Sequence, residues 1–295
     1  MPLSLSAWWS MLRQIATCWI EDDAPSMGAA LAYYTLFSLA PLLLIVIAVA
    51  GLVFGEEAAR GEITARLHSL MGEGGARAVQ ALLTSVHQPA EGAVATLLGV
   101  ALLFVGATTV FGELQDALDR IWRAPATRTH SGWFTVLRAR LLSFGMILAI
   151  GFLLTVSLVV SAGLALMERW LAPTSGGWLA VASVANAVGG FALVAVMFAL
   201  IYKVMPRVRV QWRDVWTGAL FTALLFSLGK WGIGAYLGRS GVVSGYGAAG
   251  SLVVVLLWVY YSAQIFLIGA EFTWVYANTY GSRRPVMALQ PDCAK

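Results

Sequence analysis

The sequence predicts an all-α, polytopic membrane protein with six spanning helices, and three observations carry that expectation. The first is composition: of 295 residues, 59% are hydrophobic and 12% charged. That is about half the charged share of an average soluble domain, too little to clothe a fold in water. The second is a set of six long stretches without Asp, Glu, Lys or Arg: Ala24–Gly55, Gly92–Gly112, Leu141–Met167, Trp170–Tyr202, Val215–Gly229 and Ser240–Ala270. A bilayer core of roughly 30 Å needs about 20 helical residues. All but the fifth stretch meet that alone, and the fifth resumes after Lys230 and runs to Gly238.

The third observation is where the cations fall. With a cytosolic N-terminus, the inside segments hold Arg13; Arg120, Arg123, Arg128, Arg138 and Arg140; Lys203, Arg207, Arg209 and Arg213; and Arg283, Arg284 and Lys295. The outside loops hold only Arg60, Arg66, Arg77, Arg169 and Arg239. This bias places both termini in the cytosol. It also explains the net charge of +4 as topology spread over four segments, so no nucleic-acid partner is expected. The spans are expected at about 28–55, 92–112, 141–167, 178–203, 214–238 and 246–276, in one membrane domain over 1–280. A short cytosolic tail, 281–295, is expected to be disordered.

Along the chain, the first residues lack a basic start and an apolar core ahead of a small-residue cleavage site, so no signal peptide is expected. Leu5, Trp9, Leu12, Ile15 and Trp19 instead form an apolar stripe, the pattern of a helix lying in the cytosolic interface. Between spans one and two, Ile63, Leu67, Leu70 and Met71 mark one amphipathic helix. Gly72-Glu73-Gly74-Gly75 marks a turn, and Val79, Leu82, Leu83 and Val86 a second helix. Such an external hairpin has to dock on the bundle or on the membrane surface. After span two, Leu114, Leu118, Ile121 and Trp122 continue a helical face that ends near Pro125. The connector Lys203–Arg213 is short and contains Pro206. No internal repeat of the inverted-transporter kind is evident.

Few residues here invite chemistry. Gly245-Tyr246-Gly247-Ala248-Ala249-Gly250 fits a dinucleotide fingerprint, but that motif requires a preceding strand, and here it opens an uncharged helix. Its glycines, with Gly234…Gly238 and Gly241…Gly245, read instead as small-xxx-small packing. Lys230 lies about 24 Å along its helix from Asp214, in the outer half of the bilayer. It is either a cation for an anionic group or a snorkelling side chain. Tyr246 and Asn186, the latter mid-span in the fourth helix, join it as candidate substrate-binding residues.

Glu271, near the inner end of span six, is expected to pair with Arg213 or Arg209, or to belong to a polar path with Gln264 two turns earlier. Pro41 should kink span one, with Ser38 or Thr35 satisfying freed backbone groups, as a packing feature or as a hinge. Glu113, Asp116 and Asp119 alternate with Arg120 and Arg123 and read as a solvated, salt-bridged face. His68, His87 and His130 are isolated, so no metal is expected. No cofactor is implied, and no catalytic constellation points to an enzyme. Cys18 and Cys293 fall in segments expected in the cytosol, where thiols stay reduced.

Three stretches carry a resemblance. They are Ala29-Ala30-Leu31-Ala32-Tyr33-Tyr34-Thr35-Leu36-Phe37-Ser38-Leu39-Ala40-Pro41, then Phe111–Trp122, and the region from Tyr202 to Ala277 with Gly229-Lys230-Trp231, Tyr246-Gly247-Ala248, Leu257-Trp258-Val259-Tyr260 and Gly269-Ala270-Glu271. In order and spacing the chain resembles the YihY/BrkB family of bacterial inner-membrane proteins over roughly residues 24–280. Asp119 departs from the pattern, standing where Asn is more often found. The resemblance implies six spans and an inner-membrane location. Family members have carried ribonuclease and virulence-factor labels, but a nuclease of that name needs a zinc-type His/Asp cluster that this sequence lacks. The expected function is transport or handling of lipids or envelope precursors, with membrane lipids as partners and a lipid or other anionic substrate. The alternative is a non-transporting scaffold; an oligomer fits either.

Overall fold

An apolar run longer than twenty residues must satisfy its own backbone, and helices do so in the described residues of the computed structural model. The structure describes residues 5–55, 109–125, 177–239 and 250–283, with scattered positions between 57 and 81. Among the described residues there is no strand. Helix α1 covers Leu5–Glu21 and α2 covers Ala24–Phe54. Residues 109–121 form the described part of α3. Helix α4 runs Gly177–Val204, α5 Trp212–Arg239 and α6 Gly250–Thr279. Within them, Ala187–Val204 and Leu252–Thr279 are long and apolar enough to cross a membrane. Most of spans two and three, the segment containing Tyr246, the turn Gly72–Gly75 and the tail from residue 284 lie outside the described residues.

Helix α6 is the hub, packed against α1, α2 and α5, with α4 on the far side of α5. Small residues set the α5–α6 register. A Cβ on Gly218 would strike Thr273, one on Gly229 would come within 2.5 Å of the Tyr261 hydroxyl, and one on Gly269 within 2.5 Å of the Tyr202 hydroxyl. These contacts align residue 230 of α5 with the level of residue 261 on α6, ten residues outward of Glu271, or about 15 Å. Close packing thus runs along the bodies of both helices; the small-xxx-small packing expected of Gly234…Gly238 and Gly241…Gly245 rests on side-chain positions outside the described residues. Tyr202 ties in α4, its hydroxyl donating to the Phe266 carbonyl at 2.7 Å and lying 3.0 Å from Thr222 Oγ1.

Two hydrophobic clusters sit at opposite ends of α6. At its start, Val254 and Val255 meet Ala78, Val79 and Leu67, so the hairpin region docks on the bundle, also touching Leu36 and Leu39 of α2. At its end, Phe266–Ala277 packs with Met11, Ile15 and Cys18 of α1 and with Leu118, Ile121 and Trp122 of α3. The α1 stripe is corrected here. Its buried face is Met11, Ile15 and Cys18, while Trp9 and Leu12 are exposed with Trp8 and Ile20. The helix thus has one apolar edge for the bundle and a second, tryptophan-bearing edge facing outward. Cys18 is buried and disulfide-bonded, not the free thiol expected.

Pro41 lies within the continuous α2. Ser38 Oγ donates to the Thr35 carbonyl at 3.1 Å, whereas the carbonyl a proline at 41 leaves free is that of residue 37, four positions back. Ser38 therefore does not perform the expected repair.

Candidate functional site

The densest polar structure lies where the α1–α2 turn, the end of α3 and the last third of α6 converge. Asp22 and Asp23 form the turn, with Asp23 in the left-handed region at φ 56°. Its NH meets the Ile20 carbonyl at 3.1 Å and its own carbonyl accepts from Met27 at 3.0 Å. One residue thus ends α1 and starts α2, a conformation aspartate tolerates better than most. At the end of α3, Arg123 is also left-handed, at φ 52°. For an arginine this costs on the order of 1–3 kcal/mol and persists only where surroundings enforce it.

The enforcement is visible. Arg123 Nη1 donates to both Asp22 oxygens, at 2.7 and 3.0 Å, and the guanidinium lies 4.9 Å from the centre of the Trp274 ring. Asp22 is 6% exposed and Glu271 wholly buried. The Glu271 carboxyl has Asp22 and Arg123 as its charged neighbours. With both carboxyls ionised, neither Glu271 oxygen has a donor among the described residues, and Arg123 Nε and Nη2 have no acceptor. Two acids and one base are thus confined together with hydrogen-bonding capacity in reserve.

Satellite ion pairs surround this centre. Arg120 reaches the Asp22 carbonyl at 3.3 Å and Asp23 at 3.9 Å. Asp119 accepts from the Arg207 backbone at 2.8 Å and pairs with its guanidinium at 3.2 Å, fastening α3 to the α4–α5 connector. Burial pushes the Asp119 carboxyl above its ordinary range, against the lowering effect of Arg207. Asp214, at the first turn of α5, accepts from the Ser282 backbone and hydroxyl. Arg283 stacks on Trp122 at 5.1 Å, and its pKa is lowered by burial, opposed by Asp214. Asp119 is therefore joined to the α4–α5 connector, while Asp116 on the same acidic face is exposed.

The residues singled out from sequence fall in different places. Glu271 is at the centre, with Arg123 as a neighbouring cation; Arg209 and Arg213 are exposed on the connector and the start of α5. Gln264 is a cross-link, donating to the Ala24 and Pro25 carbonyls at 3.3 and 3.5 Å across a surface kept open by Gly28. Lys230 is exposed, beside Trp231 at 80% exposure, at the far level of the bundle from Glu271. Asn186 lies on α4, its side chain outside the described residues, as is Tyr246. Sequence reasoning missed Asp22, Arg123, Tyr202 and Asp214. The one available signal was the Asp22-Asp23 pair immediately before the uncharged run Ala24–Gly55.

The sequence profile of the Virulence factor BrkB family matches residues 15–291. A UPF0761 membrane protein of Stenotrophomonas maltophilia (strain K279a) is 28% identical over 256 residues, covering 86% of this chain and 58% of the relative. One from Xanthomonas campestris pv. campestris (strain B100) is 29% identical over 254 residues, covering 85% and 57%. The chain thus spans a little over half the length of the curated relatives it matches. No solved structure matches. Matched along nearly its whole length, and built around an apolar helical bundle, the chain is a membrane protein of the virulence factor BrkB family.

Proposed function

We propose that the chain is a six-span protein of the bacterial inner membrane, with both termini in the cytosol, that handles lipids or envelope precursors and is not an enzyme. The observation that carries this reading is the outward exposure of Lys230 on α5. It accompanies a row of exposed apolar residues, Leu220, Leu224, Leu228 and Trp231, the surface that meets acyl chains. A cation on such a surface finds its counter-charge in the phosphate of a lipid or lipid-linked precursor, reached laterally from the bilayer. Trp231 beside it is the residue type that settles at headgroup level. In this frame the buried Asp22–Arg123–Glu271 cluster lies at the cytosolic face, where it holds α1, α3 and α6 together.

The test is complementation of an envelope defect caused by loss of the gene. Lys230→Met should abolish rescue while insertion and abundance stay normal, and Lys230→Arg should retain it. Full rescue by Lys230→Met would refute lipid handling through this residue and leave the scaffold reading in its place.

A further inference from the structure

The buried cluster has a composition that a structural ion pair does not need. One guanidinium neighbours two carboxyls, so with all three groups ionised the cluster holds a net charge of −1 around a Glu271 that is fully buried and an Asp22 that is nearly so. A buried net charge is strongly disfavoured, and two facing carboxyls ordinarily share one proton. The hydrogen-bond inventory points the same way. Glu271 has two oxygens without a donor, while Arg123 keeps Nε and Nη2 without an acceptor because Nη1 alone serves Asp22. Glu271 therefore has two mutually exclusive partners: the carboxyl of Asp22 when it carries a proton to donate, and the free edge of Arg123 when it does not.

We propose that Asp22, Arg123 and Glu271 form a proton-binding site whose occupancy selects which of two hydrogen-bonded arrangements joins α6 to α3 and the α1–α2 turn. One proton from water on the α1 side bonds to a Glu271 oxygen, and that O–H donates to the Asp22 carboxylate; the cluster becomes neutral. Release returns the proton to water, and the Glu271 carboxylate then takes Arg123 Nε and Nη2. No other group is consumed or oxidised. Arg123, already held at a positive φ, is the element that changes partner.

On α1, Arg13 and Glu21 are exposed, and the charged groups nearest the cluster on the other elements are otherwise engaged. On the turn, Asp23 faces Arg120. On α3, Asp119 is closed by Arg207. On α4, the Tyr202 hydroxyl is given to Phe266. On α5, Asp214 is held by Ser282. Helix α2 has no charged residue, and α6 has none besides Glu271. This inference rests on the lipid-handling reading only in assigning that process its coupling ion; the site itself is tested without transport.

The experiment is an infrared pH titration of the full chain in lipid nanodiscs, with tryptophan emission followed in parallel because Arg123 lies on Trp274. A carboxylic-acid C=O band that titrates together with the emission is expected. Glu271→Gln should abolish both transitions, since glutamine fixes the donating arrangement. Asp22→Asn frees Arg123 for Glu271 and should move the transition to lower pH by about one unit or more; it also serves if Glu271→Gln does not fold. An unchanged band and emission profile in Glu271→Gln, or an unmoved midpoint in Asp22→Asn, would overturn the proposal. So would a midpoint that shifts with sodium at constant ionic strength, which would assign the site to a metal cation. Proton binding with no lipid activity would instead spare this site and sink the lipid-handling reading.

Discussion

Replacing Gly269 by alanine probes the contact on which the α5–α6 register depends. The added Cβ would lie 2.5 Å from the Tyr202 hydroxyl and 2.9 Å from Thr222 Cβ, with Thr222 Oγ1 closer still. None of these can swing away freely. Thr222 Oγ1 donates to the Gly218 carbonyl at 2.8 Å, and Tyr202 is fixed to the Phe266 carbonyl at 2.7 Å. Overpacking of this kind costs about 1–3 kcal/mol. One displaced buried hydrogen bond adds about 0.5–1.5 kcal/mol, so about 2–4 kcal/mol of stability should be lost. The assay is steric-trap or SDS-driven unfolding of the full chain in bicelles, read as a double-mutant cycle with Thr222→Ala. Removing the threonine hydroxyl relieves the closest contact, so Thr222→Ala should be nearly neutral in the Gly269→Ala background. The coupling should be about 1–2 kcal/mol. Wild-type stability for Gly269→Ala, or strict additivity of the two changes, would refute the packing argument.

Three further outcomes follow from the charged network and the topology. Arg123→Ala strands two buried carboxyls and should lose about 3–5 kcal/mol in the same unfolding assay. Arg120→Ala, which breaks an exposed pair, should lose no more than about 1 kcal/mol; equal losses would contradict the burial-based distinction. Burial makes Asp119 bind its proton more tightly in the folded than in the unfolded chain, so its stabilising contribution is present at low pH and lost as pH rises through the raised folded-state value. Asp119→Asn should therefore flatten the acid-side dependence of Tm and leave stability at neutral pH equal or higher, and a marked loss at neutral pH would contradict this. Reporter fusions after residues 85, 130 and 283 should read outside, inside and inside, and any other pattern would overturn the six-span topology.

The periodicity and charge of the chain made its helices legible. The uncharged run from Ala24 became α2, the run after Ser240 supplied α6, and of the two amphipathic stripes between spans one and two, Leu67 and Val79 pack on the bundle. Gln264, expected on a polar path with Glu271, is instead an amide cross-link to the start of α2, a common use of an amide within a span. The partner of Glu271 was not legible. Helix position gives depth, and Arg213 has the right depth, but it lies on the exposed side of α5. Arg123 reaches Asp22 and the Trp274 ring from an α3 end that is left-handed, and a positive φ on arginine leaves no mark in composition. Tyr202 was equally hidden: its bond to Phe266 depends on Gly269 and Gly218 drawing three helices together, a property of pairs of helices and not of any one segment.

The most direct test of lipid handling is reconstitution of the purified chain into liposomes containing trace fluorescent anionic phospholipid, with translocation read by quenching from outside. The account predicts faster movement of the anionic probe than in protein-free vesicles. That acceleration should be lost in Lys230→Met, kept in Lys230→Arg, and weaker for a zwitterionic probe. Identical rates for wild type, Lys230→Met and protein-free vesicles, in protein that is folded and correctly inserted, would contradict it.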